Sequence, residues 1–581
     1  MNAAKTLLEM LSRYGVTDVF GLPGETTLAL YREWDAYPGV AYHMCRDERS
    51  SVFMVDAYAK ATGRVGICEG PSVGATHMIP GVTEAFAACV PILVFTSDVA
   101  LDTTKKNMLT GFDQTAIFRG VTKETYTVTK GAEIPFLIRR AFRSAAGGRP
   151  GPVHIRIPHD IFGHEVDESE IFAQERFASF PGVRSSAAEE DMRAAAEEIT
   201  SASRPVMICG QGCIHSGAWE AVLELAERVG MPVGSTINAK GIFPETHELS
   251  LGVVGARGGL EWSNGMAASS DLVLFVGTST DSALTDGWKL PDPKSSLKII
   301  QIDISELELG NNYRVLPLMG DARETINGIL KFIPADLRDG TREWMKRAKR
   351  ERGEYEKRLN EFERSLGDAP HPLAIVRILE RAAPDDAFFV FDPGISAVYP
   401  ASFLRLGRSG RRTAFNFAMG ALGYGIPAAI GAKIGLPDRK VIGLIGDGSF
   451  GFAAGELETA VRLGLDIMYI LFDNRSYGWI RGTEFVTGKS PLSPDFGRFT
   501  NFAEVDYVKI AEGFGMKGFS TGSAKEFEEI LRRCLAESGA KLIAITSRPE
   551  DKLLPPVPGW YRYAKSVGLE NLYGSACMTV R

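Results

Sequence analysis

Two polar clusters, each closing an apolar run, carry the chemistry that this sequence offers most directly. The run VIGLI (residues 441–445) ends in Gly446-Asp447-Gly448-Ser449. The next run, DIMYILF, ends in Asp473-Asn474, with Asn474 lying 27 residues beyond Asp447. Runs that are apolar on both faces read as strands buried inside a parallel sheet. In open α/β sheets ligands bind at the carboxyl ends of such strands, and flanking glycines let a backbone come close to one. If the two strands are neighbours, an aspartate carboxylate, an asparagine carbonyl and a nearby main-chain carbonyl form a hard oxygen set. Such a set suits Mg2+ when diphosphate oxygens complete the octahedron. Taken alone, Asp-Gly reads equally well as a simple turn. A third candidate is Glu48 in CRDERSSVFMVDAYAKATG, which by itself reads as a surface acid clustered with Arg46, Asp47 and Arg49.

The elements that must position these groups recur in three blocks, residues 1–165, 190–335 and 370–550, each with the strand-then-helix rhythm of a doubly wound sheet. The expected fold class is therefore α/β, with three doubly wound parallel-sheet domains. The first block opens with an amphipathic helix, and its SSVFMVDAYAKATG helix ends at Gly63. The middle block reads as Rossmann-like. Its turn GQGCIHSG is open to two readings, a phosphate-binding helix start or a structural turn, since no acid ends the next strand and Asp303 ends only a later one. A charged connecting helix follows, with a narrow stripe of Tyr355, Leu359, Phe362 and Leu366. The tail 551–581 shows little helical periodicity and fits a lid over the active-site mouth, an interface strap or a disordered end.

Length and composition set the outer bounds. At 581 residues, with 45% hydrophobic and 24% charged residues and a formal charge of -7, the chain reads as an ordinary multidomain globular protein, and its mild acidity argues against nucleic acid as a partner. Seven cysteines at 45, 68, 89, 209, 213, 534 and 577 have neither zinc-site nor disulfide spacing, which fits a reducing cytoplasm. The N-terminus, with Lys5, Glu9 and Arg13 among its leucines, reads as a helix rather than a signal peptide. The uncharged stretch 413–432 is long enough to span a membrane, but four glycines, Pro427 and Asn416 favour a loop leading into a buried helix.

The segments GDGSFGF and FDN together resemble the metal-diphosphate signature of thiamine-diphosphate enzymes, closest to the acetohydroxyacid synthase, benzoylformate decarboxylase and pyruvate decarboxylase group. GRPGPVHIRIPHDI, KGIFPETHELSLG and ALGYGIPAAIGAK resemble that group in the expected order, so the likeness runs over nearly the whole chain. The resemblance implies thiamine diphosphate and Mg2+ as cofactors. It implies that Asp447 and Asn474 hold the metal by side chains and Ser476 by its carbonyl. Gly446, Gly448, Ser449, Tyr477 and Gly478 would surround the diphosphate, Gly420 would accept from the aminopyrimidine, and Leu422 would be the wedge that bends the cofactor. Glu48 would bond the pyrimidine nitrogen and so help to strip the proton from the thiazolium C2. The family also implies at least a homodimer, often a homotetramer, and a 2-oxo acid or related carbonyl substrate. The central domain of such proteins holds FAD or ADP, and the sequence leaves that choice open.

The substrate region departs from these relatives. Acetohydroxyacid synthases carry Phe-Gln-Glu before the pair that Asp113-Gln114 resembles, whereas this chain has Leu109-Thr110-Gly111, which bears against acetolactate formation. The paired histidines of pyruvate decarboxylases are absent from KKNMLTGFDQ, while Lys105 and Lys106 would suit a large anionic substrate such as an acyl-CoA. Glu25 in GLPGETT is a candidate acid or base, or a solvated turn residue. His77 in GPSVGATHM stands where the synthases usually carry asparagine, so it and Gln114 are substrate-contact candidates. Carboligation from a 2-oxo acid is the favoured reading. The alternatives are a 2-oxo acid decarboxylase, a 2-hydroxyacyl-CoA lyase, or a regulator that binds the cofactor without turnover.

Overall fold

The computed structural model describes residues 1–293, 297–335, 337–488, 493–547 and 555–568. Three six-stranded sheets, parallel throughout, organise the chain. In the first, the spatial order is Ala41–Met44, Asp18–Gly21, Gly66–Gly70, Ile92–Asp98, Val153–Pro158 and Glu124–Thr127, or 2-1-3-4-6-5 in chain order. The third sheet repeats that order with Thr413–Phe415, Phe388–Phe391, Val441–Gly446, Ile467–Asp473, Lys541–Thr546 and Lys517–Thr521. The middle sheet, strands from Pro205–Cys209 to Leu316–Met319, has the order 3-2-1-4-5-6 of dinucleotide-binding folds. Its glycine-rich turn is close-packed: a Cβ on Gly210 would meet the Gly277 carbonyl oxygen at 2.2 Å, so chain packing alone accounts for that glycine.

By internal contacts the chain forms two compact units. One comprises residues 1–183, 416–439 and 453–465; the other comprises 184–415, 440–452 and 466–581. In the first unit the helix Glu48–Thr62 is buried along nearly its whole circumference and ends at Gly63 in the left-handed region, φ 75°. Its flank receives the helix Gly425–Gly435 so closely that a Cβ on Gly431 would lie 1.8 Å from the Met54 carbonyl oxygen. Only glycine fits there. A buried polar set ties the same helices together: Asp56 pairs with Lys60 at 2.7 Å, and the Tyr424 hydroxyl donates to Asp56 at 2.7 Å.

In the second unit the connecting helix, Arg338–Ser365, is longer than the sequence stripe indicates. Its buried residues run from Thr341, Trp344 and Ala348 to Tyr355 and Leu359, whereas Phe362 and Leu366 are only partly buried. The tail also corrects the sequence reading, because Pro558–Ser566 is a helix. Trp560 and Ala564 on it pack against Phe485, with the Trp560 and Trp479 rings 4.7 Å apart, so aromatic contact rather than local periodicity holds the helix. Residues 551–554 and 569–581 of that tail lie outside the described residues. Among the described residues no helix is long and apolar enough to cross a membrane, and the uncharged stretch divides between the strand Thr413–Phe415 and the helix Gly425–Gly435.

Candidate active site

In the second unit, Val441–Gly446 and Ile467–Asp473 are adjacent parallel strands, with Gly446 opposite Phe472, so both polar ends open on one sheet edge. Asp447 begins a short helix directly after its strand. The turn Asn474-Arg475-Ser476 then curls around its carboxylate. Asp447 Oδ2 accepts from the backbone N–H groups of Asn474 at 3.1 Å and Ser476 at 3.2 Å, and Oδ1 accepts from Gly448 N–H at 2.8 Å. The curl needs Arg475 at φ 56°, a left-handed conformation that costs a non-glycine residue roughly 1–2 kcal/mol. The carboxylate that this strained turn encircles offsets the strain. Asn474 Oδ1 faces the same turn, accepting from Ser476 N–H at 3.1 Å, and Asp447, Ser449, Asn474 and Ser476 are all buried.

The donor set fits a hard cation. Burial, followed by the neighbouring Asp473, pushes the Asp447 carboxyl up to about 7. A carboxyl in that state is returned to its anionic form by a cation that shares it, and the oxygen-only surroundings match Mg2+ better than a soft metal. The glycines around it have separate reasons. A Cβ on Gly448 would meet the Tyr477 ring at 2.8 Å, whereas Gly446 faces open space. The Tyr477 N–H donates to the Thr500 carbonyl at 2.9 Å, and its ring makes an edge contact with Phe502 at a centroid separation of 4.7 Å. Together these hold the aromatic side chain against Gly448, and Gly478 opens the next helix.

The first unit carries the second half of the chemistry. Glu48 is the first residue of its helix and is 6% exposed. Its carboxyl sits over the start of the helix Gly74–Ala87, where a Cβ on Gly74 would come within 2.4 Å of Oε1. The Nδ1 atom of His77, from the same helix, lies 3.2 Å from Glu48 Oε2. Glu48 is thus a seated, nearly buried acid and not the surface residue that its charged neighbours suggest. Seven residues beyond His77, the fully buried Glu84 accepts from the N–H groups of Ala418 at 3.1 Å, Met419 at 2.7 Å and Gly420 at 3.2 Å. That nest sets the turn at Gly420, φ 75°, and presents Leu422, which is only partly buried and so is no ordinary core leucine.

Other candidates are placed differently. Gln114 is fully buried: its Nε2 donates to the Ser97 carbonyl at 2.9 Å and its Oε1 accepts from Thr96. Both ends of the amide are thus bonded inside the fold. Glu25 is exposed at the start of a single 3-10 turn, and Leu109 is 87% exposed on the loop that departs from the synthases. Sequence reasoning missed Glu84 and the buried Glu69; the available signal was an acid embedded in an otherwise apolar segment.

Comparison with known proteins matches three family models along the chain. They are the thiamine pyrophosphate enzyme N-terminal TPP binding domain over residues 1–117, the central domain over 192–329 and the C-terminal TPP binding domain over 392–545. A probable acetolactate synthase large subunit of Methanocaldococcus jannaschii is 31% identical over 96% of this chain and 94% of its own length. The acetolactate synthase large subunit of Corynebacterium glutamicum is 30% identical over 90% of this chain and 83% of its own, and isozyme 3 of Escherichia coli is 26% identical over 92% of each.

Proposed function

We propose that this chain, which belongs to the thiamine pyrophosphate enzyme family, is a carboligase that takes a 2-oxo acid as donor. In the proposed reaction one 2-oxo acid loses CO2 and its remaining acyl carbon joins the carbonyl of a second, giving a 2-hydroxy-3-oxo acid. The names of relatives that match along most of the chain support this over simple decarboxylation. When bound, thiamine diphosphate supplies a carbon nucleophile and an electron sink.

The chain's own residues do the rest. Asp447, Asn474 and the Ser476 carbonyl would hold Mg2+ against the diphosphate, with Gly446, Gly448, Ser449, Tyr477 and Gly478 around it. The Gly420 carbonyl would take a hydrogen bond from the aminopyrimidine, and Leu422 would set the bend of the cofactor. Glu48 would hold and return the proton at the pyrimidine nitrogen, and its burial keeps water from competing for that bond. Glu25 would serve as an acid or base at the substrate, from its exposed place after the strand Asp18–Gly21. A homodimer, or a tetramer built from two, is part of the proposal on family resemblance.

The observation that carries the catalytic reading is the seated carboxyl of Glu48, since a protein that only stored the cofactor would need the metal turn and no proton carrier. The deciding experiment supplies thiamine diphosphate, Mg2+ and single or paired 2-oxo acids, then identifies products by mass spectrometry. Formation of the 2-hydroxy-3-oxo acid supports carboligation. Free aldehyde as sole product would make the protein a decarboxylase, and no product from any donor would favour a binding role.

A further inference from the structure

Glu48 and His77 form a pair with unequal access to water. Nδ1 of His77 lies 3.2 Å from Glu48 Oε2, yet the Glu48 side chain is 7% exposed and that of His77 is 60% exposed. One ring nitrogen therefore touches the buried carboxyl while much of the imidazole faces solvent. His77 has no helix-stabilising reason to be there: it lies in the first turn of Gly74–Ala87, where the positive end of the helix dipole gives no advantage to a side chain that can become a cation. The position of Gly74 adds to the case, because any side chain there would displace the carboxyl from this contact.

We propose that His77 is a positioning and proton-relay residue for Glu48, carrying protons between its buried carboxyl and solvent. The proposal rests on the reading that Glu48 serves the pyrimidine nitrogen. When Glu48 yields its proton to that nitrogen, the Nδ1–H of His77 passes to Oε2 and water delivers a proton to Nε2; the ring is neutral before and after, with its tautomer exchanged. The reverse sequence removes the proton. This role differs from contact with a substrate oxygen, because Nδ1 is directed at the carboxyl. The other titratable groups facing the pair are Asp47, which lies within 4.8 Å of both and is paired with Arg49, together with Glu69 and Cys45, whose ionisation feels the Glu48 charge.

The test uses the enzyme loaded with thiamine diphosphate and Mg2+ and follows hydrogen-deuterium exchange at the cofactor C2 by quenched NMR. His77→Ala should slow exchange on the order of 10²-fold, and added imidazole should restore it in proportion to concentration, with cofactor affinity unchanged. His77→Gln should be equally slow, since it can hold the bond but cannot relay. A second readout needs no cofactor: 15N shifts of the His77 ring should show a hydrogen-bonded Nδ1 that is lost in Glu48→Ala. Wild-type exchange in His77→Ala would overturn the proposal, and so would slow exchange without imidazole rescue, which marks a structural role. Glu48→Gln separates the two readings, because wild-type exchange in that variant would instead remove the role of Glu48 itself.

Discussion

Replacing Glu69 by glutamine should change how the stability of the first unit depends on pH. Glu69 is 2% exposed, near the end of the strand Gly66–Gly70, and its Oε1 accepts from the hydroxyl of Tyr31 at 2.6 Å and also from that of Tyr42. Oε2 is buried with no hydrogen-bond partner among the described residues. Burial outweighs the two hydroxyls, the charge of Glu48 adds to it, and the Glu69 carboxyl is pushed up to about 7. An unfolded glutamate ionises near about 4.3. Between these values the folded protein keeps a proton that the unfolded chain has released, so this group's stabilisation is fully present below about 4.3 and is lost as pH rises through about 7. The whole gap converts to about 4 kcal/mol. Glutamine retains the shape and the acceptor for both tyrosines but cannot ionise. Urea unfolding at a series of pH values, followed by hydrogen exchange in the first sheet, should show the variant gaining about 3 kcal/mol on wild type between about pH 4.5 and pH 8. A difference that stays flat, or that changes in the opposite direction, would refute the reasoning.

Asp447→Ala should abolish Mg2+-dependent binding of thiamine diphosphate in calorimetry, and equal affinity with and without a chelator would remove the metal assignment. Leu422→Ala should reduce turnover at saturating cofactor while shifting the denaturant midpoint little, because a partly buried leucine falls short of the roughly 2–5 kcal/mol that a core leucine is worth. Glu84→Gln leaves at least one of the three N–H groups of residues 418–420 facing an amide donor, a loss of about 1.5–3 kcal/mol. Amide exchange within residues 418–420 should therefore quicken roughly tenfold to a hundredfold at the group that loses its acceptor.

The parallel sheets were legible because central strands such as Val441–Gly446 and Ile467–Asp473 are apolar on both faces and end in glycine or acid, a pattern that carries both element and direction. The turn around Asp447 was legible for the same reason: Asp447 and Asn474 each directly follow a strand, and adjacency of the strands brings them to one edge. The tail helix was not, because Trp560 and Ala564 gain their apolar surface from Phe485 and Trp479, far away in sequence. Gln114 was singled out by family resemblance alone, and the sequence could not show that its amide finds partners at Thr96 and Ser97, far from it in the chain.

Glu84 shows what a motif cannot carry. It lies seven residues after His77, two turns along one helix, so the two side chains share a face about 10 Å apart along the axis. One end of that helix meets the Glu48 carboxyl and the other fixes the backbone at Gly420. Glu48 is proposed as a proton carrier and Gly420 as a hydrogen-bond acceptor for an aminopyrimidine, so a single helix seats both groups through His77 and Glu84. A buried carboxylate is a costly anchor for such a turn, since an apolar residue would leave three N–H groups unpaired, whereas the carboxylate satisfies all three at once. On this argument Glu84→Gln should disturb the Gly420 carbonyl before it disturbs the fold, and the amide exchange predicted above should change in the loop while exchange in the helix Glu48–Thr62 stays at its wild-type rate. Faster exchange in both would mean that Glu84 holds the unit together rather than the turn.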